Sequence, residues 1–294
     1  MTSRPDPSAD AHLRHPLLTG PVLTSVNSPR VKAAGNLSRR NVRQRERLFL
    51  AEGPQSVREA FAGAARDEVR VEDAFATHEA AERHPDIIAA AKAAGIRVRQ
   101  VDPSLIAHMS DTVASQGILA VCGFVDVALT EVVTKDAKLV VVLSQVRDPG
   151  NAGTVLRVAD AAGADAVVYT SSSVDVYNPK TVRSTAGSLF HVPVVTGVGL
   201  SEVTELGRAR GLQVLAADTH PPVHDLHAPW DTGLDLTAPT MWVFGNEAWG
   251  LPEADRGLCD GAVSIPIYGR AESLNLATAA SLCIYESARN VRLR

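Results

Sequence analysis

The sequence predicts an α/β protein with two domains, the second built on a parallel sheet. Three observations carry this prediction. The chain has 294 residues, more than one domain usually holds, so two cores of roughly 100–160 residues are the natural division. From Leu139 onward, short continuous apolar runs alternate with helical patterns, which is how strands read when helices cover both faces of a sheet. A shorter stretch before it alternates in the same way, and the mixed polar segment 126–138 separates the two.

Taken in order, residues 1–20 are rich in Pro, His, Asp and Ser without a sustained period, as in a flexible tail. Residues 21–125 form the first, small α/β domain. A strand is expected at 48–51, a helix at 55–62, an Ala-rich helix at 78–94 ending at Gly95, and strands at 97–101 and 117–121. After the linker 126–138, the domain 139–294 opens with a buried strand at 139–143, a helix at 152–162 closed by Gly163, and a strand at 166–169. A helix at 179–190, a strand at 192–195 and a helix at 201–210 closed by Gly211 follow. Strands at 212–217, 241–244 and 262–265 lead to a final helix at 274–289.

Composition excludes several classes. Cys122, Cys259 and Cys283 are scattered and odd in number, which argues against a disulfide framework or a structural zinc and for a reducing cytoplasm. The first twenty residues lack an apolar signal core, and no run approaches the ~18 apolar residues of a membrane span. Neither secretion nor membrane insertion is expected. Net charge is −4, but Arg30, Lys32, Arg39, Arg40, Arg43, Arg45 and Arg47 stand against Glu46 alone between residues 25 and 47. That segment is +6 and the remainder −10. Such a run reads either as a solvated helix face or arm, or as an RNA-contacting surface.

Four segments of the second domain combine small and polar residues at strand ends, where open α/β sheets bind ligands. Asp148-Pro149-Gly150-Asn151 leads into a helix carrying Arg157; Asn151 is placed to cap it, and Arg157 is expected on the same face. Gly245-Asn246-Glu247 follows an apolar strand, and Gly250 closes that loop. Glycine there lets main-chain groups approach a planar ligand, although a turn with a solvated acid has the same pattern. Ile265-Pro266 and Ser273-Leu274-Asn275 flank a loop containing Gly269, and Ser273 also reads as a plain helix cap. His220, His224 and His227 with Asp218 and Asp225 invite a metal reading, but Pro221-Pro222 breaks their register, so a surface loop is expected and no metal. Gly197-Val198-Gly199 lacks the third glycine of a dinucleotide fingerprint.

At these residues the chain resembles the SpoU, or TrmH-like, branch of the SPOUT class, RNA 2′-O-ribose methyltransferases that use S-adenosylmethionine. The matches at 151–157, 244–250 and 265–275 occur in family order and spacing. The likeness is strong over 138–294 and weaker over 23–124, which resembles the L30e-like substrate-binding domain that often precedes it. What the resemblance implies is an α/β-knot fold with a deep trefoil knot, a homodimer whose active sites borrow residues from the partner, and RNA as substrate. It further implies that the main chains of Gly245, Ile265 and Leu274, with Gly250 and Pro266, hold the cofactor, and that Asn151, Glu247, Ser273 and Asn275 line the reacting centre with Arg157. Ala248, Ile267 and Ala277 stand where the family usually has Gly, Met and Ser; Ala248 bears on the loop's backbone freedom.

Methyl transfer to a ribose hydroxyl needs alignment of oxygen, carbon and sulfur and stabilisation of oxyanion character. The resemblance casts Arg157 as general base, yet a guanidinium keeps its proton up to a pKa above ~12. The expectation is therefore that Arg157 holds the target phosphate and stabilises the forming alkoxide, with base action as the alternative. Ribosomal 23S RNA is the expected target, by analogy with relatives that carry the L30e-like domain. A transfer-RNA methyltransferase, a catalytically silent RNA-binding protein of the same fold and an α/β enzyme with another nucleotide cofactor are the alternatives.

Overall fold

The computed structural model describes residues 14–110 and 115–292. Two compact units result: one takes in the described residues up to Phe124 together with Tyr177–Arg183, the other Val125–Val176 and Ser184 onward. Residues 1–13 of the expected tail lie outside the described residues.

The first unit runs β1 (Thr19–Leu23), α1 (Pro29–Asn36), α2 (Arg40–Glu46), β2 (Leu48–Glu52), α3 (Pro54–Ala64) and β3 (Val71–Ala76), then α4 (His78–Arg83), α5 (Pro85–Ala93), β4 (Val98–Val101), α6 (Pro103–Met109) and β5 (Ile118–Gly123). Its five-stranded sheet has the order β1-β4-β3-β5-β2. β1, β4 and β3 are parallel, while β5 runs antiparallel to both β3 and β2. Val31, Ala34 and Leu37 bury one face of α1 and its end against Phe75, Leu105, Ile106 and Leu119, a spacing of three that stacks side chains on one helical face. Two expectations change here. The end of the supposed tail is strand β1, with Thr19 and Leu23 registered on Arg99 and Val101. The helix expected at 78–94 is two helices divided at His84, because a proline at position 85 has no N–H to continue the ladder and favours the start of a new helix.

The second unit runs α7 (Leu129–Val132), β6 (Leu139–Leu143), α8 (Pro149–Ala162), β7 (Ala166–Thr170), α9 (Pro179–Ser184), β8 (Val194–Val198), α10 (Leu200–Ala209) and β9 (Gln213–Ala217), then the two-residue β10 (His224–Asp225), β11 (Thr240–Phe244), α11 (Glu253–Arg256), β12 (Gly261–Ser264) and α12 (Leu276–Arg292); α9 belongs to it in sequence, although all but its last residue groups with the first unit. Seven strands line up as β10-β12-β9-β11-β6-β7-β8, every pair parallel. All five residues of β6, β7 and β11 are buried, as strands covered on both faces must be. The expected helix 179–190 is α9 followed by a separate 3-10 turn at Ser188–Phe190. Ala186 (φ 50) and Gly187 (φ 99) interrupt it, a left-handed conformation that a helix cannot carry through.

α12 packs against α8 and buries Ala277, Ala280, Ile284 and Ala288, residues three and four apart that form one stripe. Trp242 on β11 donates its indole N–H to Ser287 Oγ at 2.8 Å, satisfying both buried polar atoms. Among the described residues no helix is long and apolar enough to cross a membrane.

Candidate active site and cofactor cleft

A cleft of about 460 Å³ opens at the carboxyl ends of β9, β11 and β12. Glu247, Gly250, Ile265, Ser273 and Leu274 line it, together with Asp218, His220 and Asn246. Gly245 and Pro266 are not among its lining residues. Asn151 and Asn275 border a second cleft of about 360 Å³ between α8 and the start of α12, with Thr154, Thr278 and Leu282.

The loop after β11 is closed on itself. Asn246 and Gly250 exchange both main-chain hydrogen bonds at 2.9 Å. A Cβ on Gly245 would stand 2.4 Å from the carbonyl carbon of Gly250, so that position has room for hydrogen alone. The left-handed backbone in this loop falls on Gly250 (φ 67) and not on Ala248, so alanine there needs no unusual conformation. Asn246 is buried and ties the loop down: its Nδ2 donates to the Gln145 carbonyl at 2.8 Å and its Oδ1 accepts from the Ala248 N–H at 2.8 Å. Gln145, at the end of β6, is itself left-handed (φ 59) and donates through Nε2 to Asp255. Such a backbone is costly for a branched-at-nothing polar residue but tolerable when its surroundings hold it in place.

Glu247 reaches from this loop to the one after β6. Its carboxylate accepts from the N–H groups of Arg147 and Asp148 at 3.2 and 3.1 Å, and from Asn151 Nδ2 at 3.4 Å. Asn275 Nδ2 in turn donates to Asn151 Oδ1 at 3.0 Å. One chain of contacts therefore links Glu247, Asn151 and Asn275, with Asn151 lying 96 and 124 residues from the other two in sequence. Each amide keeps one unused N–H after these bonds.

Several assignments from the sequence are corrected. The cap of α8 is Asp148, whose Oδ1 accepts from the Asn151 N–H at 2.8 Å; Pro149 takes the first helical position, as proline favours. Asn151 is thereby inside the first turn with its side chain free for Glu247 and Asn275. Arg157 does not share its face. Six residues at about 100° each leave it roughly a third of a turn away, and Thr154 continues the Asn151 side into the second cleft. Arg157 is exposed and lines neither cleft. The final helix is capped by Asn275, whose Oδ1 accepts from the N–H groups of Ala277 and Thr278, not by Ser273.

The basic segment folds as α1 and α2, and its charges divide. Arg43 is buried and donates to the carbonyls of Leu37 and Ser38 at 2.8 and 2.7 Å, so it is a structural residue. Arg30 pairs with Asp73, Arg45 with Glu46, and the Arg47 guanidinium lies 4.5 Å over the Phe124 ring. Lys32, Arg39 and Arg40 are exposed.

Sequence reasoning gave Asn246 no role of its own, set Asp218 in a surface loop and missed Gln145. Asn246 carried a signal, being a turn-forming residue directly after a buried strand; Gln145 carried none. Among the described residues no group of His, Cys, Asp or Glu is arranged to hold a metal. His220 is instead bonded to Asp218, and His227 to the Tyr268 hydroxyl.

A parallel α/β sheet with a glycine-closed loop and an amide–carboxylate chain at its strand ends defines a ligand-binding α/β unit of the cofactor-dependent kind. Residues 138–285 match the SpoU rRNA Methylase family, and residues 28–120 match the MRM3-like substrate binding domain. The chain belongs to the SpoU rRNA Methylase family. It is 31% identical to the 23S rRNA (guanosine(2553)-2′-O)-methyltransferase RlmP of Bacillus subtilis, over 90% of this chain and 97% of that protein. It is 40% identical to the 23S rRNA (uridine(2479)-2′-O)-methyltransferase of Streptomyces viridochromogenes, over 55% of this chain and 56% of that one. The fold matches the AdoMet-bound rRNA methyltransferase from Sinorhizobium meliloti with a TM-score of 0.78 at 27% identity, covering 94% of this chain and 99% of the other.

Proposed function

We propose that this protein transfers a methyl group from S-adenosylmethionine to a ribose 2′-hydroxyl of 23S ribosomal RNA. The observation that carries the reading is the Glu247–Asn151–Asn275 chain, set beside a strand-end cleft in a member of this family. The cofactor fits the residues present. The cleft volume of about 460 Å³ lies in the range of roughly 300–1,000 Å³ usual for such ligands. The missing Cβ of Gly245 lets the loop close against the Gly250 backbone, while Gly250, left-handed and on the cleft wall, leaves the main chain open to a planar ring. The main chains of Ile265 and Leu274 and the Gly250 turn would hold it, with Gly245 and Pro266 shaping the two loops.

When bound, S-adenosylmethionine supplies a methyl group already activated by its positive sulfur. The chain's own residues orient the RNA. Glu247 is committed to three donors, so it acts as a fixed anchor for the loop before α8 and not as a free base. The remaining N–H of Asn151 or Asn275, on the second cleft, can donate to a ribose or phosphate oxygen, and Ser273 borders the larger cleft beside Glu247. Arg157, carrying a permanent charge, stabilises the phosphate and the alkoxide character that develops at the ribose oxygen as its proton passes to water.

Arg157 lines neither cleft of its own chain, which supports an active site completed by a second copy. Leu282 and Tyr285 on α12 are 40% and 51% exposed, three residues apart on one face, and would be covered in such a homodimer. The trefoil knot and a cytoplasmic location belong to the same reading, the latter supported by the unpaired cysteines. Lys32, Arg39 and Arg40 are assigned to RNA phosphate contacts.

The test is a map of ribose methylation in total RNA with and without the protein, joined to equilibrium binding of S-adenosylmethionine. A single 23S position should lose its methyl group. Loss in transfer RNA instead would overturn the target, and no binding at millimolar cofactor would overturn the activity.

A further inference from the structure

Three ionisable side chains border the larger cleft: Asp218, His220 and Glu247. Glu247 is occupied by donors from the loop before α8. Asp218, just past β9, is in a different condition. Its side chain is 2% exposed, and its Oδ1 accepts from both the N–H and the Nδ1 of His220, at 2.8 and 2.6 Å. Its Oδ2 is buried without a hydrogen bond. The Arg256 guanidinium stands 3.9 Å from it, too far for one, and donates to the Leu251 carbonyl instead.

A carboxylate so placed fixes the imidazole it touches. With Nδ1–H directed at Asp218, the neutral ring presents Nε2 as an acceptor. His220 is 59% exposed on this side of the cleft, and Nε2 has no partner among the described residues. The pair thus has the form of an oriented ligand contact: a buried anchor, a locked tautomer and one open nitrogen. It stands at the carboxyl end of a parallel strand, where ligands of such sheets lie.

We infer that Asp218 and His220 form a polar anchor of the cofactor cleft, His220 Nε2 accepting a hydrogen bond from an O–H or N–H of S-adenosylmethionine while Asp218 holds the ring. This inference rests on the assignment of the cleft to that cofactor. The donor comes either from the nucleoside end or from the amino-acid end, and the experiment separates the two. His220 touches the ligand; Asp218 is a positioning residue.

Binding of S-adenosylhomocysteine and of 5′-methylthioadenosine, which lacks the amino acid, is measured by calorimetry on the full chain. His220→Ala, at an exposed position, should fold normally and weaken S-adenosylhomocysteine about tenfold, the effect of losing one ligand hydrogen bond. An equal loss for both ligands assigns the donor to the nucleoside; a loss confined to S-adenosylhomocysteine assigns it to the amino acid. Unchanged affinity for both overturns the inference while leaving the cleft assignment intact, whereas a wild-type protein that binds neither overturns both. For Asp218→Asn, the ¹⁵N shifts of the His220 imidazole should report a changed tautomer balance in a protein with unaltered circular dichroism. An unaltered tautomer removes the positioning role.

Discussion

The loop at 245–250 and the basic segment at 30–47 were both singled out by residue type, and they fold in opposite ways. In the loop every polar group that stood out has a specific partner: Asn246 holds Gln145 and Ala248, and Glu247 holds Arg147, Asp148 and Asn151. In the basic segment identical side chains take different fates, from the buried Arg43 to the exposed Arg39 and Arg40. Spacing within a loop constrains geometry because neighbouring backbone must close. A count of charges constrains nothing about which of them face water.

The largest effect expected from breaking this contrast is at Gly245. Gly245→Ala forces a Cβ to within 2.4 Å of the Gly250 backbone, so the loop must open, and cofactor binding should fall below detection by calorimetry. A measurable affinity within tenfold of wild type would show that the loop is not rigid. Glu247→Ala comes next: it strips three donors of their acceptor, and single-turnover methylation should drop about 10²-fold, the scale of losing one preorganised group, while cofactor binding persists.

In the basic segment, Arg43→Ala removes two charge-assisted bonds to main-chain carbonyls, one of them buried, and should cost about 2–3 kcal/mol in urea unfolding. Arg39→Ala with Arg40→Ala should leave stability within about 0.5 kcal/mol and lower the salt slope of RNA binding by roughly 0.7–0.9 per charge. If the double variant unfolded early, or if its salt slope matched wild type, the division between structural and RNA-facing charges would fail. The smallest effect concerns the thiols. Burial pushes Cys259 and Cys283 up to about 12 and Cys122 higher still, against about 8.5 for a free thiol. Native protein at pH 8 should resist alkylation, read by mass spectrometry, until denaturant is added. The sign of the linkage follows: this contribution to stability is full below the unfolded thiol's pKa and is lost as pH rises toward 12.

The parts of the fold that were legible were those set by continuous patterns. β6, β7, β9 and β11 read as apolar runs because both faces are covered, and α8 and α10 end where Gly163 and Gly211 stand. Less legible were features decided by partners distant in sequence. β1 carries Gly20 and exposed Thr19, with no alternation to mark it, and forms because β4 offers an edge. Asp148 and Asn151 are both good capping types, and sequence alone does not tell which closes the helix. The sequence places the Asp218–His220 pair in a surface loop, which is right for His220 and wrong for the carboxylate beneath it. Helical spacing of one or two turns suggests a face shared by Arg157 and Asn151, but a separation of six residues leaves them about a third of a turn apart.

The pairing of β11 with β6, Thr240 against Leu139, sets an order of events during synthesis. β6 can meet β7 as soon as both leave the ribosome, but its other edge waits about a hundred residues for β11, and Asn151 waits longer still for Asn275. Contacts so distant form slowly. For most of its translation the second unit is a sheet with an open central edge, exposed to pairing with other chains, and a nascent protein released just before residue 275 would carry all seven strands of that sheet and none of the completed site.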